Sequence, residues 1–537
     1  MIILRLNKSE LKNRESWESA GISLPGFNID EMEKKTLDAP VWLHFGGGNI
    51  FRGFIASLQD NLLEQGFADK GIITAETFDG EIVEKIYNAF DNLTLDVRLF
   101  ADGHTDCSVI SSVAKALDAG KTQDRAYLNK VFENPALQMV SFTITEKGYA
   151  LTQRDGSYMD VVKSDMENGP ENPSHAMSIT AAGMYARYNA GACPIALVSM
   201  DNCSQNGKKL MDSVLAIAQA WEDKGLVKSG FVRYLKDESL VSFPWTMIDK
   251  ITPRPAKSVE DMLNKLGISG METVVTSKQT YIAPFVNAEN PQYLVIEDRF
   301  PNGRPALEKS GVYMTDRDTV EKTERMKVTT CLNPLHTAMS IFGCLLGCSS
   351  ISGEMEDTEI TGLIDRLGYT EGLPVVVDPK VLSPRAFLDE VIKERLPNPY
   401  IPDTPQRIVT DTSQKVGIRF GETVKSWQDK SMNLDELTAI PLSIAGWFRY
   451  LLGVDDKGNT MEVSSDPLKD ELQKELSGIS WDSPASYSGQ LKNILKQESV
   501  FGLDLTRTVL GGKIETYFIE MLQGKDAVRN TLKNALK

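Results

Sequence analysis

The stretch Val41-Trp-Leu-His-Phe45-Gly46-Gly-Gly48-Asn49-Ile50-Phe51-Arg52-Gly53-Phe54 decides how the chain folds. Its first five residues form a short, largely apolar strand candidate. An amphipathic helix follows to about Glu64, closed by Gly66. Strand, glycine turn, helix is the context that a dinucleotide fingerprint needs. Gly46 allows the tight turn and Gly48 lets the backbone approach a pyrophosphate, while the helix N-terminus offers free N–H groups and a favourable dipole. Phe51 stands where GxGxxG has its third glycine, with Gly53 two positions later, so the fingerprint is incomplete. The candidate cofactor contacts at this turn are Gly46, Gly48, Asn49, Ile50, Phe51 and Arg52.

Downstream, a strand candidate at residues 71–75 is followed by Glu76 and Asp79, about where a carboxylate grips the adenosine ribose. A carboxylate there repels the extra phosphate of NADP, which favours NAD. Further strand candidates lie at residues 95–100 and 138–145. The second ends in Thr143-Ile-Thr145-Glu146-Lys-Gly148-Tyr149, which adds Thr145 and Glu146 to the cofactor candidates. A helix carrying Met177, Ile179, Ala182 and Tyr185 leads into a buried-type strand at residues 194–199, ending in Met200-Asp201-Asn202-Cys203-Ser-Gln-Asn206-Gly207. Ligands gather at the carboxyl ends of strands in open α/β sheets, so polar residues there carry weight. Residues 1–38 read as a polar lead-in. A strand candidate at residues 293–297 and a turn-rich segment at residues 301–305 precede the expected domain boundary. The fold class is α/β: a Rossmann-like domain over residues 1–312, then a mostly α-helical domain over residues 313–537.

The second domain opens on Glu324-Arg-Met-Lys327-Val-Thr-Thr-Cys331-Leu-Asn333-Pro334-Leu-His336. On a straight helix, turning about 100° per residue, Lys327 and His336 would sit about 180° apart and could not converge. Pro334 fits a first helical turn and biases its predecessor away from the α region. The pattern predicts a helix starting at Pro334 and capped by Asn333, with His336 in its first turn and Lys327 arriving from the preceding segment.

Composition excludes several classes. A hydrophobic fraction of 41% with 25% charged residues is that of a globular protein, and 537 residues call for two large domains. The net charge of −16 argues against nucleic acid or an anionic membrane as partner. No apolar run has transmembrane length and the N-terminus breaks off too early for a signal peptide, so a cytoplasmic location is expected. The six cysteines include no CxxC pair and the four histidines no HxxxH, giving no reason to expect a metal.

These motifs carry a resemblance. The chain resembles the polyol-specific long-chain dehydrogenases, the mannitol dehydrogenase and hexuronate reductase family, over nearly its whole length. The most specific mark is Lys-x5-Asn-x2-His, met by Lys327, Asn333 and His336. Supporting motifs follow in family order: His44-Phe-Gly-Gly-Gly-Asn49, Thr143-Ile-Thr-Glu-Lys-Gly-Tyr149, Asp201-Asn202 with Asn206-Gly207, and Phe243-Pro244 before Met247-Ile-Asp249. Ile296-Glu-Asp-Arg-Phe300, Asp403-Thr-Pro-Gln-Arg407 and Asp411-Thr-Ser-Gln-Lys415 complete them. Departures are Phe51 for a small residue, Pro334 for a small residue, and Lys250 where many relatives have arginine.

The resemblance implies an active site between an N-terminal Rossmann-like domain and a helical domain, and zinc-independent hydride transfer with NAD. Lys327 would be the general acid and base, Asn202 and Asn333 would stabilise the alkoxide, and His336 would hold a substrate hydroxyl. Arg407 and Lys415 would reach other substrate oxygens, Asp249 would orient Lys327, and Glu324 would pair with it or relay its proton. Cations near the site suit a sugar acid, so the expected reaction is keto-uronate reduction of the D-fructuronate to D-mannonate type. Mannitol or another polyol 2-dehydrogenase and tagaturonate reductase are the alternatives. A decarboxylating hydroxy-acid dehydrogenase and a non-catalytic nucleotide-binding protein are more distant. The partner is a small sugar acid or polyol, and the protein is expected to be a monomer or small homo-oligomer.

Overall fold

Six strands form a wholly parallel sheet: β1 (Trp42–Phe45), β2 (Ile72–Glu76), β3 (Val113–Asp118), β4 (Met139–Phe142), β5 (Ile195–Ser199) and β6 (Val241–Ser242). They lie in the order β3-β2-β1-β4-β5-β6 in a computed structural model that describes residues 3–537. Every residue of β1, β2, β4 and β5 is buried, as a parallel sheet covered on both faces requires. Phe51, Phe54, Leu58 and Leu62 cover one face, while Leu128, Phe132, Met177 and Trp221 cover the other. The chain reverses its direction of winding between β1 and β4, so the crevice where such sheets bind ligands opens beyond Phe45 and Phe142.

The strand expected at residues 95–100 exists as Thr94–Leu99 but lies outside this sheet. It pairs in parallel with Phe285–Glu289 and antiparallel with Thr105–Ile110, which pairs with Ile22–Ser23. A third sheet joins Thr246–Asp249, Tyr293–Glu297 and Tyr313–Thr315. The lead-in expected at residues 1–38 is corrected over residues 4–38: it is folded, because Leu4, Leu6, Leu11, Trp17, Ile22 and Met32 find core positions. Leu4–Arg5 pairs with Ile268–Ser269, Trp17 is completely buried, and Ile29–Asp38 is a helix capped by the Asn28 side chain.

The chain divides into two compact units, Met1–Glu321 and Lys322–Lys537. The divide falls inside the helix Arg317–Met326, beyond the turn-rich segment, because Tyr313–Thr315 still pairs with Val295–Glu297. The second unit is helical. At its centre Ala439–Leu451 is buried at all thirteen positions and packs on Asn333–Leu346, the Phe342 ring lying where a Cβ on Gly446 would meet it at 2.8 Å. Helices apolar all round belong in a core, and here they fix the Asn333–Leu346 helix rigidly. Among the described residues no helix is long and apolar enough to cross a membrane.

Candidate active site

The glycine turn is held from several sides. Gly46 has φ +103°, and a Cβ there would lie 2.2 Å from the Thr143 carbonyl oxygen, so only glycine lets β1 and the end of β4 approach this closely. The Gly47 peptide is clamped: its N–H donates to Glu76 Oε2 at 2.8 Å and its carbonyl accepts from the Tyr87 hydroxyl at 2.9 Å. A Cβ on Gly48 would meet nothing within 4 Å, which is the open approach a pyrophosphate needs. Asn49 donates to the Pro253 carbonyl at 3.2 Å and keeps a buried Oδ1 with no partner among the described residues, an acceptor that a nucleotide hydroxyl would satisfy. Gly46, Gly48 and Asn49 thus leave an open, polar turn of the kind a dinucleotide uses, and Ile50 follows half-buried.

Phe51 and Arg52 do not face a ligand, which corrects the expectation for their side chains. Both are completely buried. Phe51 stacks on His44 with 4.2 Å between centroids, and the helix accommodates its bulk through a π-helical turn, Phe51–Ile55. Arg52 donates to Thr94 Oγ1 and the Ala283 carbonyl, bracing the neighbouring sheet. The close-packing role of the third glycine moves to Gly53, whose Cβ would sit 2.7 Å from Val286 Cγ1. His44 is a structural residue: both ring nitrogens are bonded, to Ser141 Oγ and Thr143 Oγ1, and burial pushes its pKa down to about 3.

Of the two ribose candidates, Glu76 lies beside the turn, with Oε2 on Gly47 and Oε1 accepting from the N–H groups of Thr77 and Phe78. Asp79 turns inward to accept from Thr276 Oγ1 at 2.6 Å and is 2% exposed, so it is withdrawn as a ribose contact.

At the ends of β4 and β5 a dense network forms around Asp201. Its carboxylate accepts from the N–H groups of Ile144 and Thr145, both at 2.9 Å, and from the Tyr149 hydroxyl at 2.7 Å. Burial raises the Asp201 pKa and these donors oppose it. Asn206 ties the same corner to the third sheet, donating to the Asp201 carbonyl and Thr246 Oγ1 and accepting from Thr246 N–H. Asn202, next in the chain, is exposed. Thr145 adopts φ +64° at the start of a short helix, and Glu146 pairs with Lys209. Asp249 ends a buried strand opposite Tyr293.

In the second unit Lys327 opens a π-helical turn, Lys327–Cys331, closed by Leu332 N–H on the Lys327 carbonyl at 3.1 Å. The residue is 2% exposed. Leu332 (φ −135°, ψ −63°) breaks the helix, and a new one runs Asn333–Leu346. The expected Asn333 cap is thus corrected by one position: Leu332 is the cap residue and Asn333 the first helical residue, with Pro334 second. Asn333 and His336, three residues apart, are the two half-exposed positions in an otherwise buried start to this helix, so they share its open face. Glu324 is half-buried one turn before Lys327.

Arg407 departs most from expectation. Its guanidinium grips Asp403 bidentately, Nε to Oδ1 at 2.5 Å and Nη2 to Oδ2. A fork already closed on one carboxylate is not free to close on another. Lys415 donates to the carbonyls of Ile408, at 3.1 Å, and Thr410. Burial and the neighbouring Arg419 push its pKa down to about 8. Among the described residues no cluster of three or more His, Cys, Asp or Glu side chains is placed to hold a metal ion.

A family model described as the mannitol dehydrogenase Rossmann domain matches residues 41–309, and one described as the mannitol dehydrogenase C-terminal domain matches residues 319–521. The chain belongs to the mannitol dehydrogenase family. It is 50% identical over 537 residues to the D-mannonate oxidoreductase of Thermotoga maritima, covering 99% of each chain. A D-sorbitol dehydrogenase in substrate-free form shares the fold with a TM-score of 0.77 at 24% identity, covering 100% of both chains. Mannitol 2-dehydrogenase of Pseudomonas fluorescens, solved as a ternary complex with NAD and D-mannitol, aligns with a TM-score of 0.71 at 23% identity over 99% of each.

Three residues of this mannitol dehydrogenase family member escaped the sequence reading. Tyr149 and Asn206 fell inside quoted motifs, yet nothing local says that they brace Asp201. Arg419 lies between Ile418 and Phe420 in a glycine-flanked turn with no pattern to mark it.

Proposed function

We propose that the chain is an NAD(H)-dependent oxidoreductase interconverting D-fructuronate and D-mannonate. The observation that carries this reading is the 50% identity, end to end, with a D-mannonate oxidoreductase. The glycine turn at Gly46, Gly48, Asn49 and Ile50, with Glu76 beside it, would hold the cofactor. A bound nicotinamide supplies or accepts the hydride. Lys327 Nζ gives a proton to the substrate oxygen in reduction and takes it back in oxidation, a role suited to an amine in a protein interior, where burial favours the uncharged form. The side-chain amides of Asn202 and Asn333 donate to the developing alkoxide, and neutral amides do so without changing charge. His336 holds a neighbouring hydroxyl from the same helix face as Asn333.

Steady-state rates with D-fructuronate, D-tagaturonate and D-fructose, each with NADH and NADPH, test the reading. The highest kcat/KM is expected for D-fructuronate with NADH, since the Glu76 carboxylate repels a 2′-phosphate. A preference for D-fructose would return the enzyme to the polyol dehydrogenases. A preference for NADPH would show that Glu76 does not face the ribose.

Lys415 adds a pH signature. Its ammonium loses its proton as pH rises through about 8, below the ordinary lysine value, because burial and Arg419 disfavour the charge. An anionic substrate needs that charge. KM for D-fructuronate should therefore be flat below this pH and climb above it, by at most about tenfold per pH unit. D-Fructose should show no such break. An identical break with both substrates would mean that Lys415 does not meet a carboxylate.

A further inference from the structure

The second unit holds two neighbouring cations, Lys415 and Arg419, that form no direct ion pair with a carboxylate among the described residues. Lys415 spends its bonds on the Ile408 and Thr410 carbonyls. One turn on, Arg419 lies in the π-helical turn Gly417–Gly421, its backbone N–H on the Lys415 carbonyl at 2.9 Å. Its Nη1 donates to Thr337 Oγ1, which uses one of five guanidinium N–H groups. Among the described residues neither side chain forms an ion pair, whereas Arg407 close by is closed on Asp403. Burial lowers the Arg419 pKa to about 10, and the charge of Arg419 in turn lowers that of Lys415. Two like charges, partly out of water, with Asp411 and Asp466 offsetting Lys415 only without direct contact, are costly to keep in a fold, and a bound anion relieves that cost.

Thr337 gives the pair its position. It follows His336 on the Asn333–Leu346 helix, so Arg419 is fastened to the helix that carries two of the proposed substrate-binding residues. We propose that Arg419, together with Lys415, forms the subsite for the carboxylate of a sugar-acid substrate, and that Arg419 sets the preference for keto-uronates over neutral ketoses. The proposal rests on the activity reading above and goes beyond it in naming the residue that recognises the acid. Arg407 then keeps its loop in place through Asp403 and leaves the carboxylate to Arg419.

Arg419→Gln tests this, since glutamine keeps a donor for Thr337 and removes the charge. In the full-length enzyme at saturating NADH, KM for D-fructuronate should rise about 30-fold or more, the usual consequence of removing one partner of a desolvated charge pair. KM for D-fructose and for NADH, and kcat with D-fructuronate, should change by less than about threefold. The KM break near pH 8 should also move upward, because the charge that depresses Lys415 is gone. Arg419→Lys, which retains the charge without the fork, should fall between parent and glutamine variant, and it carries the comparison if Arg419→Gln does not fold. Equal losses on acid and neutral substrates would mean that Arg419 only braces the helix. Unchanged KM for both would place the carboxylate elsewhere. Either result overturns the subsite while parental turnover of D-fructuronate leaves the activity reading standing; a parent enzyme unable to reduce D-fructuronate ends that reading instead.

Discussion

Lys327→Ala should turn over about 10²–10⁴-fold more slowly than the parent, the usual worth of a positioned acid or base, with NADH affinity nearly unchanged. Affinity should hold because the glycine turn belongs to the first unit, whereas Lys327 belongs to the second. The pH profile separates a proton-transfer role from a packing role. Oxidation by the parent should rise with pH as the lysine loses its proton, with a midpoint well below the free-lysine value of about 10.4, and the rise should vanish in the variant. Lys327→Arg should not restore it, because a guanidinium keeps its proton at any workable pH. A nearly buried lysine also packs, so the alanine variant loses some stability on either view. An unaltered pH profile with near-parent turnover is the result that removes Lys327 from the chemistry.

Substituting Gly46 and Gly48 separately should give two different failures from neighbouring positions. Alanine at 46 would place a Cβ 2.2 Å from the Thr143 carbonyl oxygen, at a φ of +103° that L-residues rarely adopt. Strain of this kind costs on the order of 1–3 kcal/mol before the clash with backbone is counted, so the thermal transition should fall clearly. Alanine at 48 meets nothing within 4 Å and should leave the transition where it was. Its effect should appear only in a fluorescence titration with NADH, as a roughly tenfold or greater loss of affinity where a methyl displaces the pyrophosphate. Equal NADH affinity in Gly48→Ala and parent would mean that the cofactor does not approach the turn.

What could be read from the sequence was local. The glycine turn, the all-apolar strands around it and the helix after it announce themselves, because a parallel sheet buried on both faces leaves continuous apolar runs. The Lys327 region was legible in part. The need for a break between Lys327 and His336 followed from helix geometry, but Pro334 was credited with it. The fold uses a π-helical turn and Leu332 instead, and neither has a sequence signature. Pairings between distant segments were not legible at all. Thr94–Leu99 looks like a strand of the main sheet until Phe285–Glu289 is seen beside it. Arg407 was singled out by its motif, while its closure on Asp403, four residues earlier, and the uncommitted Arg419 depend on side-chain geometry.

The second sheet has a consequence for how the chain comes off the ribosome. All six strands of the parallel sheet lie between Trp42 and Ser242, so that sheet can assemble while later residues are still being translated. Thr94–Leu99 must wait for Phe285–Glu289, and Leu4–Arg5 for Ile268–Ser269. Nascent chains stalled soon after Ser242 would therefore expose Thr94–Leu99 along one open edge, with Leu4–Arg5 still without its partner strand. Unpaired strands of this kind attract other chains, so translation of the next fifty or so residues is the interval in which a chaperone matters most to this protein.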